Sequence, residues 1–126
     1  MSLKIELAQQ AVDEEPSSGA YWNTLGVAQY RAGEFTKSIY SLEKSEELKN
    51  KDASNWDSSF NWFFLAMSHW QLGDKEEARQ WFDKGAQWMD AKNAKSESMI
   101  RFRSEAAELL GVNEPQAPSD PQRQEN

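Results

Sequence analysis

The sequence has no cysteine and only one histidine, so it lacks the residues of the commonest thiol and metal sites. Without cysteine the chain can form no disulfide, thiolate nucleophile or zinc–thiolate site. The one histidine, His69, has no partner motif for general acid–base chemistry, and we predict that it packs in the core. We therefore expect no metal, no other cofactor and no enzymatic activity.

Basic residues are also in the minority. Lys and Arg number 14 against 21 Asp and Glu, which gives a net charge of −7. Binding to nucleic acid or to an anionic membrane surface needs a basic face, so we expect neither partner. No apolar run approaches the ~20 residues of a membrane-spanning helix, and the acidic N-terminal segment is unlike a secretory signal. These observations predict a cytoplasmic protein.

Aromatic residues, in contrast, are plentiful. The chain has six Trp, six Phe and three Tyr, and each ring can bury about 150–250 Å² in the core of a single domain. Apolar residues recur at helix spacing along most of the chain, with no alternating strand pattern. Residues 114–126 hold three of the four prolines and no large apolar residue, so we predict a disordered tail over 112–126.

Two segments of the chain share the same internal spacing. In each, a Trp and a Leu three residues apart face the same way on one helix, and a glycine then permits a tight turn into a second helix. The matching residues are Trp22, Leu25, Gly26, Gly33 and Leu42 in the first segment and Trp62, Leu65, Ala66, Gly73 and Phe82 in the second. The chain therefore contains an internal repeat of helical hairpins.

These residues resemble the tetratricopeptide repeat (TPR) family. The turn pairs Gly33-Glu34 and Gly73-Asp74 match its consensus, and Ala11 and Pro16 resemble the end of a preceding repeat. The helical phrases around the two tryptophans are also similar to TPR segments of large bacterial multidomain proteins, some linked to Ser/Thr kinase domains. The resemblance implies an all-α fold, a solenoid (α-α superhelix) of about six antiparallel helices.

We predict one TPR-like domain over residues 1–111. Its predicted parts are a half-repeat helix at 1–16, repeat 1 at 19–50, repeat 2 at 58–91 and a capping helix at 95–111. The spacing from Trp22 to Trp62 is 40 residues, longer than the 34 of a regular repeat, which predicts an insertion in a polar loop at 50–58. The chain is thus expected to begin inside a repeat, with its first helix unpaired.

The resemblance also implies a function. TPR solenoids are non-catalytic modules that bind a peptide or a partner domain in a concave groove, which is lined by the first helix of each pair. Carried over by position, the groove residues are Asn23, Val27, Tyr30, Arg31, Phe60, Phe63, Phe64, Met67 and Trp70. An alternative function is self-association, in which the unpaired N-terminal helix pairs with a second copy to form a homodimer.

The fourth predicted helix is apolar nearly all round, which predicts burial on more than one side. One hypothesis is that the capping helix, the N-terminal helix or the 50–58 loop covers it. The other is an exposed aromatic groove that takes an apolar segment of a partner. We further expect the capping helix to pack through Phe102 and Ala106 against a stripe of Trp81 and Trp88 on the fifth helix.

Overall fold

The computed structural model describes residues 3–49, 59–92 and 96–113. This part of the chain is all-α, with no strand, and confirms the predicted solenoid. Its helices are α1 (Leu3–Glu14), α2 (Gly19–Arg31), α3 (Phe35–Lys49), α4 (Ser59–Gln71), α5 (Lys75–Lys92) and α6 (Glu97–Leu110). They follow the predicted order of a half-repeat, two hairpins and a capping helix. The predicted loop at 50–58 and the tail from 114 onwards lie outside the described residues, so the predicted domain boundaries stay predictions.

The two hairpin turns have the same geometry. Gly33 and Gly73 have φ values of 83° and 88°, in the left-handed region that glycine tolerates best. The residue after each glycine donates its backbone N–H to the carbonyl five residues earlier, at 2.9 Å in both turns. Together with the N–H of the residue before the glycine, which donates to the same carbonyl at 3.1 Å, this bond closes the C-terminal end of the helix. The identical spacing in the sequence therefore corresponds to two turns with the same backbone conformation.

Small residues let the helices of each hairpin approach closely. A Cβ added to Gly26 of α2 would lie 2.6 Å from side-chain carbons of Leu42 on α3. In the second hairpin, a Cβ added to Gly85 of α5 would lie 2.9 Å from the ring of Phe63 on α4. Neither helix could hold its present position if these glycines carried side chains.

A row of buried serines joins α3 to α2. Ser38, Ser41 and Ser45 are at most 1% exposed. Their hydroxyls donate hydrogen bonds of 2.7–2.8 Å to the Gly26 carbonyl, the Gln29 side chain and the Gly19 carbonyl, respectively. A buried hydroxyl is tolerated when it is hydrogen-bonded, so this polar row fixes the register of the α2–α3 pair.

Helix α4 lies at the centre of the protein. Residues 61–68 are all buried, and the helix packs against α2, α3, α5 and α6. The main core runs from α2 and α3 through α4 and α5 to α6. A smaller core joins α1 to α2 through Ala8, Val12 and Leu25. Helix α1 contacts α2 alone among the described helices.

Candidate functional site

Three of the predicted groove residues are inside the protein. Phe63, Phe64 and Met67 are each 0% exposed. The Phe63 ring contacts the Phe82 ring of α5, with centroids 5.8 Å apart, and the Phe64 ring contacts Phe102 of α6 at 4.8 Å. The expectation of an open aromatic groove is therefore wrong at these positions, because the chain's own helices cover α4, as the alternative hypothesis stated.

Helix α6 is the element that covers this face of α4, and it reaches as far as α2. The Phe64 ring lies between Phe102 of α6 and Tyr30 of α2, whose centroid is 5.6 Å away. Arg31 of α2 places its guanidinium 5.2 Å from the centroid of the Phe64 ring and donates two hydrogen bonds to Glu105 of α6, one of them at 3.0 Å. Of the predicted groove residues on α2, Arg31 thus contacts the capping helix, and Tyr30 contacts the Phe64 ring that this helix covers.

These contacts change the titration of both residues. Burial raises the pKa of the Tyr30 hydroxyl above its ordinary value, and the Glu105 carboxylate raises it further. The hydrogen bonds that Arg31 donates to the Glu105 carboxylate raise the pKa of its guanidinium. The side chains of the Arg31–Glu105 pair are 48% and 36% exposed, and such a surface pair contributes about 0–1 kcal/mol. The buried edge-to-face contact of Phe64 with Phe102 therefore holds α6 in place more firmly than the ion pair does.

Asn23 has a structural role that its sequence position does not reveal. Its side-chain amide donates a 2.7 Å hydrogen bond to Asn61 of α4. The Asn61 amide in turn donates to Ser45 at 3.0 Å and to Glu46 at 3.1 Å. The one signal for this network in the sequence is a polar residue, Asn61, inside the most apolar helix.

The remaining predicted residues differ in their surroundings. Trp70 is half-buried, and the ammonium group of Lys75 lies 4.8 Å from its ring centroid, a cation–π arrangement. The side chain of Phe60 lies outside the described part of the structure. His69, predicted to pack in the core, has a side chain that is only 14% exposed, and its Nδ1 lies 3.6 Å from Asp74.

Within 3–49, 59–92 and 96–113, no three His, Cys, Asp or Glu side chains form a group that could hold a metal ion. No helix in these ranges has the length and apolar character that crossing a membrane requires.

An open cleft lies between α1 and α2. It encloses about 530 Å³, and most of its lining surface is apolar. Two of its apolar side chains are exposed, Leu7 at 58% and Tyr21 at 43%. The lining residues are Lys4, Leu7, Ala8, Ala11, Tyr21, Thr24, Val27, Ala28 and Arg31. Two predicted groove residues, Val27 and Arg31, are therefore at an accessible surface, whereas the α1 side of this cleft was not among the predicted site residues.

The repeated hairpins and the close approach of their helices define an all-α helical-repeat protein. Residues 5–53 and 61–88 each match a family described as Tetratricopeptide repeat, and the two matches together span more than half of the chain. The chain belongs to the tetratricopeptide repeat family. Its repeats are those of a protein–protein interaction scaffold.

The fold is similar to that of a solved relative. The crystal structure of the Sgt2 TPR domain from Aspergillus fumigatus superimposes with a TM-score of 0.60 at 21% sequence identity, covering 92% of this chain and 75% of that one. At this identity the likeness shows the fold alone. The search of curated proteins gave no significant match. The narrower resemblance to bacterial multidomain and kinase-linked TPR segments stays a prediction.

Proposed function

We propose that this chain is a non-catalytic scaffold that binds a peptide or a segment of a partner domain in the cleft between α1 and α2. The observation that carries the proposal is the cleft itself, which is open, mostly apolar and about 530 Å³ in volume. Contiguous exposed apolar surface is typical of interaction sites. In this proposal the binding groove is displaced from α4, where α6 covers it, to the face of α2 that carries Val27 and Arg31.

The partner class follows from the same observations. A cleft lined by Leu, Ala, Val and Tyr takes an apolar protein segment, and the net charge of −7 disfavours nucleic acid and anionic membrane. A cytoplasmic location stays a prediction of the sequence.

Substitution of Thr24 by arginine should block this cleft. Thr24 is exposed and lines the cleft, and its hydroxyl donates only to the Ala20 carbonyl of its own helix, at 3.1 Å. Thr24→Arg therefore leaves the packing of the helices intact while it places a long charged side chain over apolar surface. Peptides selected on the parent protein from a displayed random library should bind this variant at least about tenfold more weakly.

The matched control is Thr36→Arg, which changes the same residue type at an exposed position on α3. It should bind the selected peptides as the parent does. If the selected peptides bind the parent, Thr24→Arg and Thr36→Arg equally, the binding surface lies outside the cleft. A library that yields no peptide that binds the parent would contradict peptide binding altogether.

A second candidate function, homodimer formation through α1, is favoured by the exposure of two leucines. Leu3 and Leu7 are 68% and 58% exposed, and α1 contacts α2 alone among the described helices. Light scattering over a concentration series should then show a mass that rises towards twice that of the monomer. The double variant Leu3→Lys, Leu7→Lys should stay monomeric, and a parent protein that is monomeric at every concentration would exclude this function.

A further inference from the structure

The cleft between α1 and α2 has a filled counterpart one repeat further along the chain. Ala11 of α1 corresponds to Ser45 of α3, 34 residues later, and Trp22 of α2 corresponds to Trp62 of α4, 40 residues later. With these two shifts, the counterparts of Lys4, Leu7, Ala8 and Ala11 are Ser38, Ser41, Leu42 and Ser45 on α3. The counterparts of Tyr21, Thr24, Val27, Ala28 and Arg31 are Asn61, Phe64, Met67, Ser68 and Gln71 on α4.

Eight of the nine counterparts are at most 1% exposed, and Gln71, the counterpart of Arg31, is exposed. Helix α2 contacts several of the eight, and α6 also covers Phe64. The three serines, Ser38, Ser41 and Ser45, donate hydrogen bonds to groups of α2. Phe64 contacts the Tyr30 ring of α2. The cleft formed by α1 and α2 is therefore equivalent to the surface of α3 and α4 against which α2 packs.

Differences between the two sites determine which helix would fit. Leu42 presses against Gly26 of α2, where even a Cβ would come within 2.6 Å. Ala8 takes the place of Leu42 in the cleft, so a helix docked there has room for a large side chain where α2 has glycine. Leu7 and Ala11 replace serines whose hydroxyls bind α2, so the cleft offers apolar contact instead of hydrogen bonds. It fits a helix with a stripe of bulky apolar side chains.

Charge determines the direction of the docked helix. Ser38 lies near the start of α3 and binds a carbonyl in the second half of α2, so α2 runs antiparallel to α3. A helix docked in the same way on α1 would place its C-terminal half beside Lys4, the residue that corresponds to Ser38. Arg31 also lines the cleft, but its guanidinium is already paired with Glu105, so Lys4 is the cation that is available. Cations stabilise the carbonyl end of a helix and attract carboxylates there, and no carboxylate of the described residues forms an ion pair with Lys4.

We infer that the cleft binds an amphipathic helix of a partner protein, which lies antiparallel to α1. The partner helix carries Leu, Ile or Phe at i, i+3, i+4 and i+7 spacing and an acidic residue in its last turn. This inference rests on the proposed function and names the chemistry of the partner.

The probe is a synthetic, helix-stabilised peptide of about four turns, with a leucine stripe and a glutamate in its last turn. It should bind the parent protein and bind Leu7→Lys at least about tenfold more weakly, because Leu7 lines the cleft and is 58% exposed. The control Gln9→Lys introduces the same charge on the same helix at an exposed residue outside the cleft, and it should bind as the parent does.

Two further measurements test the conformation and the direction of the probe. A version with proline at its centre cannot form the helix and should not bind. Lys4→Glu should weaken binding of the probe that has glutamate in its last turn. The same variant should bind a probe with lysine in its last turn more tightly than the parent protein binds it.

Equal binding of the proline version, or no reversal of preference with Lys4→Glu, would overturn the helical inference. Library peptides that depend on Thr24 would still support the proposed function in that case. Failure of both the library and the probe would contradict both proposals. A parent dimer that Leu7→Lys converts to a monomer would identify a second copy as the occupant, and this too would overturn the inference.

Discussion

Replacing Phe64 with alanine should lower the free energy of unfolding by about 3–5 kcal/mol, the range for a large side chain lost from a well-packed core. Phe64 is 0% exposed, and its ring meets groups from two other helices: Tyr30 and the Arg31 guanidinium on α2, and Phe102 on α6. Because these partners come from different elements, the cavity cannot close by the movement of one helix. Chemical denaturation followed by circular dichroism measures the loss.

Phe35→Ala is the matched control for this substitution. Phe35 also contacts the Tyr30 ring, at 5.5 Å, but it is half-buried and belongs to α3. Its removal should cost clearly less than that of Phe64. Hydrogen exchange of α6 adds a second readout, since the amides of α6 should lose protection in Phe64→Ala and keep it in Phe35→Ala. Equal losses of stability in the two variants would mean that Phe64 does not join α6 to α4.

The sequence predicted the local structure well, and the reason is physical. A tryptophan and a leucine three residues apart, followed by a turn glycine, determine where a helix faces and where it ends. The turns at Gly33 and Gly73 have the expected left-handed φ. The order of half-repeat, hairpins and capping helix follows from the same signals, because each of them acts within a few residues along the chain.

The position of α6 could not be predicted in the same way. Its apolar stripe suggested packing on Trp81 and Trp88 of α5, and α6 does pack against α5, but the ring contacts that the structure gives are with other residues. The Trp88 ring contacts Trp62 instead, and Phe102 contacts Phe64. Periodicity shows which face of α6 is apolar. It does not show whether that face will pack against α4 or against α5, because both of these helices also have an apolar face.

The candidate site was predicted in part for a related reason. The unpaired first helix was predicted, and it does form one wall of the cleft through Leu7. Val27 and Arg31 were assigned to a groove, and they line this cleft. The groove itself was predicted over α4, because the TPR consensus describes the residues of one repeat. It does not describe the capping helix α6, which covers α4. Asn23 was also assigned to the groove, but its side chain is hydrogen-bonded to Asn61 of α4, a partner that is found only when the two helices are placed side by side.

Gly26→Ala should destabilise the protein by about 1–3 kcal/mol, the usual cost of overpacking a core. In an exposed helix the same change would stabilise by up to about 1 kcal/mol, since alanine is the better helix former. Here the new Cβ would lie 2.6 Å from two carbons of Leu42 and 3.3 Å from its backbone nitrogen. Leu42 is 0% exposed, so its side chain has no free space to enter, and the backbones of α2 and α3 must move apart.

A double-mutant cycle separates this clash from other effects of the substitution. Leu42→Ala alone should cost about 2–5 kcal/mol through the cavity that it leaves. In the double variant the alanine at position 26 enters that cavity, so the total loss should be smaller than the sum of the single losses by about 0.5–3 kcal/mol. Urea denaturation of the four proteins measures the coupling.

Ala66→Gly is the control, because Ala66 of α4 occupies the position of Gly26 in the other repeat. It removes a Cβ that the structure already accommodates and should cost about 0.5–1 kcal/mol, with no clash to relieve. Two results would show that α2 and α3 are farther apart than the contact with Leu42 requires. One is a Gly26→Ala protein that is more stable than the parent, and the other is a double variant whose loss of stability equals the sum of the two single losses. The inference that a bulky partner helix fits the cleft would then lose its basis, since it depends on Leu42 filling the space that Ala8 leaves open.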